Sequence, residues 1–254
     1  ENNNSYYGDL SAIMIDNLPF WAELSSTPSS KVSLISEWEK KVQAIINESI
    51  NQNVTSFAGV PSWMLSLLQQ VIQQTGKDNI LEIWKNSEVY FHGGVSFDPY
   101  RNLYKNLFPS KDFKYFEIFN ASEGFFAIQD QNNSSELLLM LDYGIFYEFI
   151  PTSKSEQDII SLADVKLNVN YAMVITTNSG LWRYKIGDTI KFTCLNPFRI
   201  IVTGRTKHFI NVFGEELVVE NAEKALSMTC ELTKCEITNY TVGPIFMGGK
   251  TKGS

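Results

Sequence analysis

Cysteine, histidine and proline are scarce in this sequence, with three, two and eight among 254 residues. Cysteines 194, 230 and 235 are too few for a disulfide framework, and Cys230 and Cys235 lack the spacing of a zinc knuckle. They are expected to be buried or idle thiols in a reducing compartment. His92 and His208 stand far apart without metal-ligand spacing, which disfavours zinc. No apolar run is long enough to cross a membrane as a helix, and the first residues, ENNNSYYGD, lack the basic start and apolar stretch of a secretory signal. A cytoplasmic protein without membrane association is expected. The sequon Asn53-Val54-Thr55 matters only in a secreted chain, and nothing else points to secretion. With 21 basic against 28 acidic residues, the net charge of -7 disfavours nucleic acid or anionic lipid as a partner. The G-x-S-x-G elbow, the G-x-x-x-x-G-K-[ST] phosphate loop and the G-x-G-x-x-G motif are absent, so hydrolase, P-loop and Rossmann readings have no support. No internal repeat and no signature of an obligate protein partner is visible.

What is present fits a globular α/β protein: 44% of residues are hydrophobic and 19% charged, enough for one large core or a core with a small second domain. Residues 33–50 place Leu34, Trp38, Val42, Ile45 and Ile46 near one helical face, and Pro61 to Thr75 read as a second helix that Gly76 stops. Short apolar segments at 88–92, 115–119, 137–141, 146–150 and 171–176 read as strands between Gly, Pro, Asn and Ser clusters. Residues 181–184 are expected to pair back on 171–176 around the turn Asn178-Ser179-Gly180. The pattern predicts α/β layers with a β-rich subdomain over residues 1–203. After a strand at 198–203, a boundary falls near Gly204-Arg205, and residues 204–254 read as the start of a small α+β domain with a helix at 215–226.

Four constellations carry chemistry. His92-Gly93-Gly94-Val95-Ser96 follows a strand, and its two glycines let the backbone lie flat against a ligand or simply make a strand-to-helix turn. Asn120-Ala121-Ser122-Glu123-Gly124 also ends a strand. Its carboxylate suits Mg²⁺ shared with substrate phosphates, or equally the N-terminal turn of a helix. In Trp182-Arg183-Tyr184-Lys185-Ile186-Gly187-Asp188, Asp188 could grip a pair of ribose hydroxyls or sit in a plain hairpin turn. In Gly204-Arg205-Thr206-Lys207-His208, Arg205 offers a donor fork and Lys207 a point charge, unless both are solvated turn residues.

GVPSWML at 59–65, HGGVSFDPY at 92–100, NASEG at 120–124, LWRYKIGD at 181–188 and GRTKHFINVFGEEL at 204–217, in this order, resemble the plant auxin-responsive acyl acid amido synthetases and more closely their bacterial relatives. That family belongs to the adenylate-forming superfamily, with acyl-CoA ligases and luciferase. The resemblance implies an ATP-dependent ligase that activates a small carboxylic acid as its acyl adenylate and passes it to an amine or amino acid. It implies that Gly93, Gly94 and Val95 line the adenine, that Asn120, Ala121 and Ser122 lie beside the nucleotide, and that Glu123 holds Mg²⁺. Asp188 is then the ribose ligand, Arg205 lies near ribose and phosphate, and Lys207 is the hinge of a mobile C-terminal domain. Trp63, Met64 and Phe125 are candidates for the acyl pocket or for core. The family's phosphate-wrapping loop would precede Glu1 and its C-terminal lysine would follow Ser254, so the chain alone is expected to be inactive. An acyl-CoA ligase and a nucleotide-binding relative without catalysis are the competing readings.

Overall fold

The computed structural model of the chain describes residues 10–132, 134–153, 158–206, 209–212 and 215–240. Contacts gather the chain into two compact units. One takes in the chain up to Gly59 with Trp63–Tyr90 and Tyr104–Lys114; the other takes in Val60–Ser62, Phe91–Leu103 and the chain from Tyr115 onward.

The first unit opens with α1 (Leu10–Asp16), α2 (Phe20–Leu24), α3 (Ser30–Ser33) and α4 (Trp38–Ser49). The expected single helix over 33–50 is therefore broken. Leu34 is 43% exposed, so no packing compensates the weak helix formers Ile35 and Ser36, and the chain restarts its helix at Trp38. From there Val42, Ile46 and Ser49 bury one face at i, i+4 and i+7. After β1 (Ser56–Gly59) comes α5 (Pro61–Thr75), with the bounds the sequence predicts. Proline tolerates the first position, and Gly76, at φ 64, reverses the chain while its N–H bonds to the Ile72 carbonyl. The unit's core is aromatic. Phe57 meets Trp84 and Phe108 at 5.7 and 5.3 Å, Phe108 stacks on Phe113 at 4.0 Å, and the Trp84 Nε1–H bonds to the Ser49 carbonyl. β2 (Val89–His92) leaves this unit after Tyr90, and α6 (Arg101–Leu107) re-enters it at Tyr104.

The second unit is a sheet of β2 with β3 (Lys114–Ala121), β4 (Gly124–Ile128), β5 (Leu137–Leu139), β6 (Ile145–Pro151), β7 (Ile160–Ser161), β8 (Asn170–Thr177), β9 (Tyr184–Leu195) and β10 (Phe198–Arg205). Their order is β2-β3-β4-β5-β10-β9-β8-β6-β7. From β3 to β7 every neighbouring pair is antiparallel. β2 runs parallel to β3: Lys114 N–H bonds to the Glu88 carbonyl at one end, and Gly93 lies against the Ile118 carbonyl at the other. Alternate residues of β6 and β8, Tyr147 and Phe149 with Tyr171, Met173 and Ile175, bury one face against Phe192, Ile190 and Ile200. This is the mixed α/β architecture the sequence predicts.

Four local readings are corrected. Residues 120–124 start no helix: Ser122 and Glu123 form the turn of a hairpin closed by the pair Ala121↔Gly124, and Gly124 opens β4, which the sequence reading missed. The return strand after Asn178 begins at Tyr184 and not Leu181. Arg183 adopts φ 46 there, its N–H bonded to Thr176 Oγ1 at 3.0 Å and its guanidinium to Glu148 at 2.6 and 2.9 Å, which delays the ladder. Gly187-Asp188 is no turn. It lies inside β9, where Gly187 at φ 88 absorbs irregular pairing with both neighbouring strands. The expected helix at 215–226 starts only at Val219. Glu215–Val218 is β12, paired with β11 (Phe209–Val212), and α7 (Val219–Thr233) follows. An acidic start with apolar spacing suits a hairpin arm as well as a helix, and cross-strand pairing decided for the strand. Among the described residues, no helix is long and apolar enough to cross a membrane.

Candidate functional site

β2 and β3 run side by side, and the chain leaves these two adjacent parallel strands at Gly93 and at Ser122. Carboxyl ends of neighbouring strands are where open α/β sheets bind ligands. Gly93 is required by its neighbour: a Cβ there would stand 2.4 Å from the Ile118 carbonyl oxygen. Gly94 is required by its backbone, at φ 85. The turn reading of these glycines is thus physically sufficient, and it leaves Gly94 and Val95 exposed beside the strand ends. Gly93→Ala is expected to cost about 1–3 kcal/mol, because backbone cannot yield to the added methyl, and a lower urea midpoint with unchanged slope checks it.

The β3–β4 hairpin presents Glu123. Gly124, which closes the turn opposite Ala121, is short of room: a Cβ there would lie 2.8 Å from Ile145 Cδ1 and 3.3 Å from the Phe126 ring. The missing side chain lets the hairpin tip seat on β6. Asn120 and Ser122 are exposed around it, Ala121 and Glu123 half-buried. Phe125 is also half-buried and lies 5.9 Å from the Tyr143 ring.

Asp188 and Arg205 are cross-strand partners on β9 and β10. Arg205 Nε donates to Asp188 Oδ1 at 2.7 Å; the Asp188 side chain is 11% exposed and that of Arg205 53%. Thr206 clasps the same place, its N–H and Oγ1 both bonded to the Gly187 carbonyl, at 2.7 and 3.2 Å. The Asp188 hydrogen bond, then its charge, raise the Arg205 pKa, and the charge of Glu123 adds to both. The structure brings Asp188 and Arg205 together, and the charge of Glu123 is felt at Arg205. Lys207 lies outside the described residues. Trp63 and Met64 belong to the first unit, where Trp63 is 63% exposed and meets Trp38 edge-on at 5.2 Å.

Among the described residues no three His, Cys, Asp or Glu side chains gather as a metal cage. The half-buried carboxylate of Glu123 fits Mg²⁺, which takes one or two protein carboxylates, keeps waters and shares substrate phosphates. A backbone flattened by glycines, with one buried carboxylate and one exposed guanidinium, likewise fits a nucleotide.

His92 precedes the glycines and is packing: it is 3% exposed and stacked on Phe97 at 4.0 Å. Burial, with the charge of Arg101 and against that of Asp98, lowers its pKa to about 4, so it is neutral at pH 7.

The sequence reading missed Glu117. On β3 it shares a face with buried Phe119, and a carboxylate at an apolar position of an alternating strand is the signal that could have found it. Burial first, then the charge of Asp98, raises its pKa to about 7; Glu223 adds to this and Arg101 opposes it. The folded state thus holds this proton more tightly than the unfolded chain. The contribution to stability falls as pH rises from the ordinary carboxylate range through about 7 and is flat above. Glu117→Gln is expected to stabilise the protein at about pH 8 by on the order of 2–3 kcal/mol, and not at about pH 4. Thermal unfolding of both proteins across that range checks it.

The profile of the GH3 family N-terminal domain matches residues 1–113, and that of the GH3 family central domain matches residues 138–205. The indole-3-acetic acid-amido synthetase GH3.15 of Arabidopsis thaliana is 23% identical over 231 residues, which cover 82% of this chain and 36% of that protein. The indole-3-acetic acid-amido synthetase GH3.3 of the same plant is 31% identical over 135 residues, 46% of this chain and 22% of that protein. The solved GH3.15 acyl acid amido synthetase superposes with a TM-score of 0.67 at 14% identity, over 82% of this chain and 47% of that one. A 2-hydroxyisobutyryl-CoA ligase in the postadenylation state with 2-HIB-AMP gives 0.54 at 15% identity, over 80% and 41%. The chain spans less than half the length of each. The superpositions show the adenylate-forming fold, and with the two family profiles between them taking in residues 1–113 and 138–205, the chain belongs to the GH3 family.

Proposed function

We propose that this chain carries the nucleotide-binding part of an ATP- and Mg²⁺-dependent ligase that activates a small carboxylic acid as its acyl adenylate and transfers the acyl group to an amine or amino acid. The observation that carries the reading is the Asp188–Arg205 pair across β9 and β10, a carboxylate against a guanidinium, with the charge of the Glu123 carboxylate felt at Arg205. A carboxylate is a poor electrophile, and attack on the α-phosphorus of ATP with loss of pyrophosphate makes it a good one. Asp188 would hold the ribose hydroxyls as a charged acceptor. Arg205, already beside Asp188, would offset charge growing on the phosphate, a preorganised electrostatic contribution. Gly93, Gly94 and Val95 would lie along the adenine, with Asn120, Ala121 and Ser122 beside the nucleotide. Glu123 would hold Mg²⁺, which neutralises and orients phosphate oxygens when bound. Phe125, beside Tyr143, offers an apolar wall for the acid. An amine then attacks the activated carbonyl and releases AMP.

The central-domain match ends at residue 205, which supports a boundary between 1–203 and 204–254 with Lys207 at the hinge. Three free thiols support a cytoplasmic site of action, since disulfides are rare there. The test is pyrophosphate exchange by the whole protein across a panel of acids that includes indole-3-acetic acid. Exchange stimulated by one class of acid is expected; ATP binding without exchange for any acid would favour a relative without catalysis. Product masses with amino acids and with coenzyme A separate an amide-forming enzyme from a thioester-forming one.

A further inference from the structure

α7 ends at Thr233, and Lys234 takes φ 56, the left-handed conformation that reverses a chain at a helix C-terminus. In the Schellman form of that reversal the side chain following the left-handed residue often lies against the side chain five positions before it. Cys235 and Cys230 hold those two places, and the Cys235 thiol lies 3.8 Å from the Thr233 carbonyl. Both line one cavity of about 230 Å³, with Glu231 and Lys234 on their own side and Pro99 and Leu103 on the other. All three cysteines of the chain are free; Cys230 is half-buried and Cys235 exposed. Cys194 is apart from them, on β9, with its thiol toward the Asn196 carbonyl at 3.4 Å.

A disulfide needs Cβ atoms about 3.5–4.5 Å apart, a separation within reach of side chains that meet across such a cap. We propose that Cys230 and Cys235 are a redox-responsive thiol pair that a low-molecular-weight disulfide, such as oxidised glutathione, closes into an intramolecular bond. One thiolate attacks the small disulfide, forms a mixed disulfide and expels one reduced thiol. The second thiolate attacks the protein sulfur of that mixed disulfide and expels the other. The protein loses two protons and two electrons, and the small disulfide is reduced to two thiols. Closure fixes the last turn of α7 to the chain after it, at a cavity whose far wall is the segment following the Gly93-Gly94 loop. Oxidation would therefore stiffen the start of the C-terminal segment where it lies on the nucleotide-binding unit.

The test is exchange of the reduced chain with oxidised glutathione, acid quenching, alkylation and peptide mass. Two of the three thiols are expected to escape alkylation, and the intact mass to fall by two hydrogen atoms with no glutathione retained. Trypsin cuts after Lys224, Lys234 and Lys250, so peptides 225–234 and 235–250 should emerge joined by one reducible link. Cys194→Ser should leave this unchanged, and Cys235→Ser should stop at a glutathione adduct on Cys230. Alkylation of both Cys230 and Cys235 after treatment, glutathione retained on each, or a link to Cys194 would overturn the proposal.

Discussion

Asp188→Ala is expected to weaken ATP binding by the whole protein roughly 100-fold, about 2.7 kcal/mol, with little change in unfolding temperature. Two charge-assisted hydrogen bonds to ribose hydroxyls account for that magnitude once the water they displace is counted. The small stability effect follows from exposure. The Arg205 side chain is 53% exposed, so its pair with Asp188 is worth little to folding, and the unpaired guanidinium turns to water. A structural role would give the opposite pattern, a lowered unfolding temperature with binding intact in the folded fraction. Calorimetry is the measurement, and an unchanged affinity in a folded variant removes Asp188 from the nucleotide site. Asp188→Asn, which keeps the shape and loses the charge, should fall between the two.

How much of this was legible depends on whether the signal was local. The helix over Pro61–Thr75 was readable to the residue, because its start and stop are both set by local residues, Pro61 at its first position and Gly76 just past its end. The Ser33–Ile50 helix was not, since its break depends on Leu34 finding no partner. Gly187-Asp188 carried the right residues with the wrong geometry. A glycine before an aspartate marks a hairpin turn or an irregular strand alike, and only pairing of β9 with both β8 and β10 distinguishes them. The contact between Asp188 and Arg205 was out of reach for the same reason: the register shift between Val202 and Gly204 aligns them. Glu117 stayed hidden because its environment comes from Asp98 and Arg101, in a segment that precedes its strand, and from Glu223 on α7. Residue types at the candidate site were thus visible in sequence, whereas the electrostatic coupling among them is a property of the sheet.

Glu123→Gln tests the part of the site that sits at a strand end, on a hairpin tip and not at a helix start. The hairpin fixes the carboxylate at a two-residue turn, so glutamine keeps volume and backbone while removing the charge. Acid-dependent pyrophosphate exchange is expected to fall roughly 100- to 1,000-fold, the scale of losing one preorganised electrostatic contact in a transition state. The Mg²⁺ concentration for half-maximal exchange should rise in the same variant, because one of the metal's few protein ligands is gone. These two readouts separate the metal role from its rival. If Glu123 merely balanced Arg205, its loss would lower the Arg205 pKa slightly and leave the Mg²⁺ dependence unmoved, since Asp188 supplies the larger part of that interaction. Normal exchange with normal Mg²⁺ dependence would make Glu123 a bystander, and the nucleotide site would then rest on Asp188 and Arg205 alone.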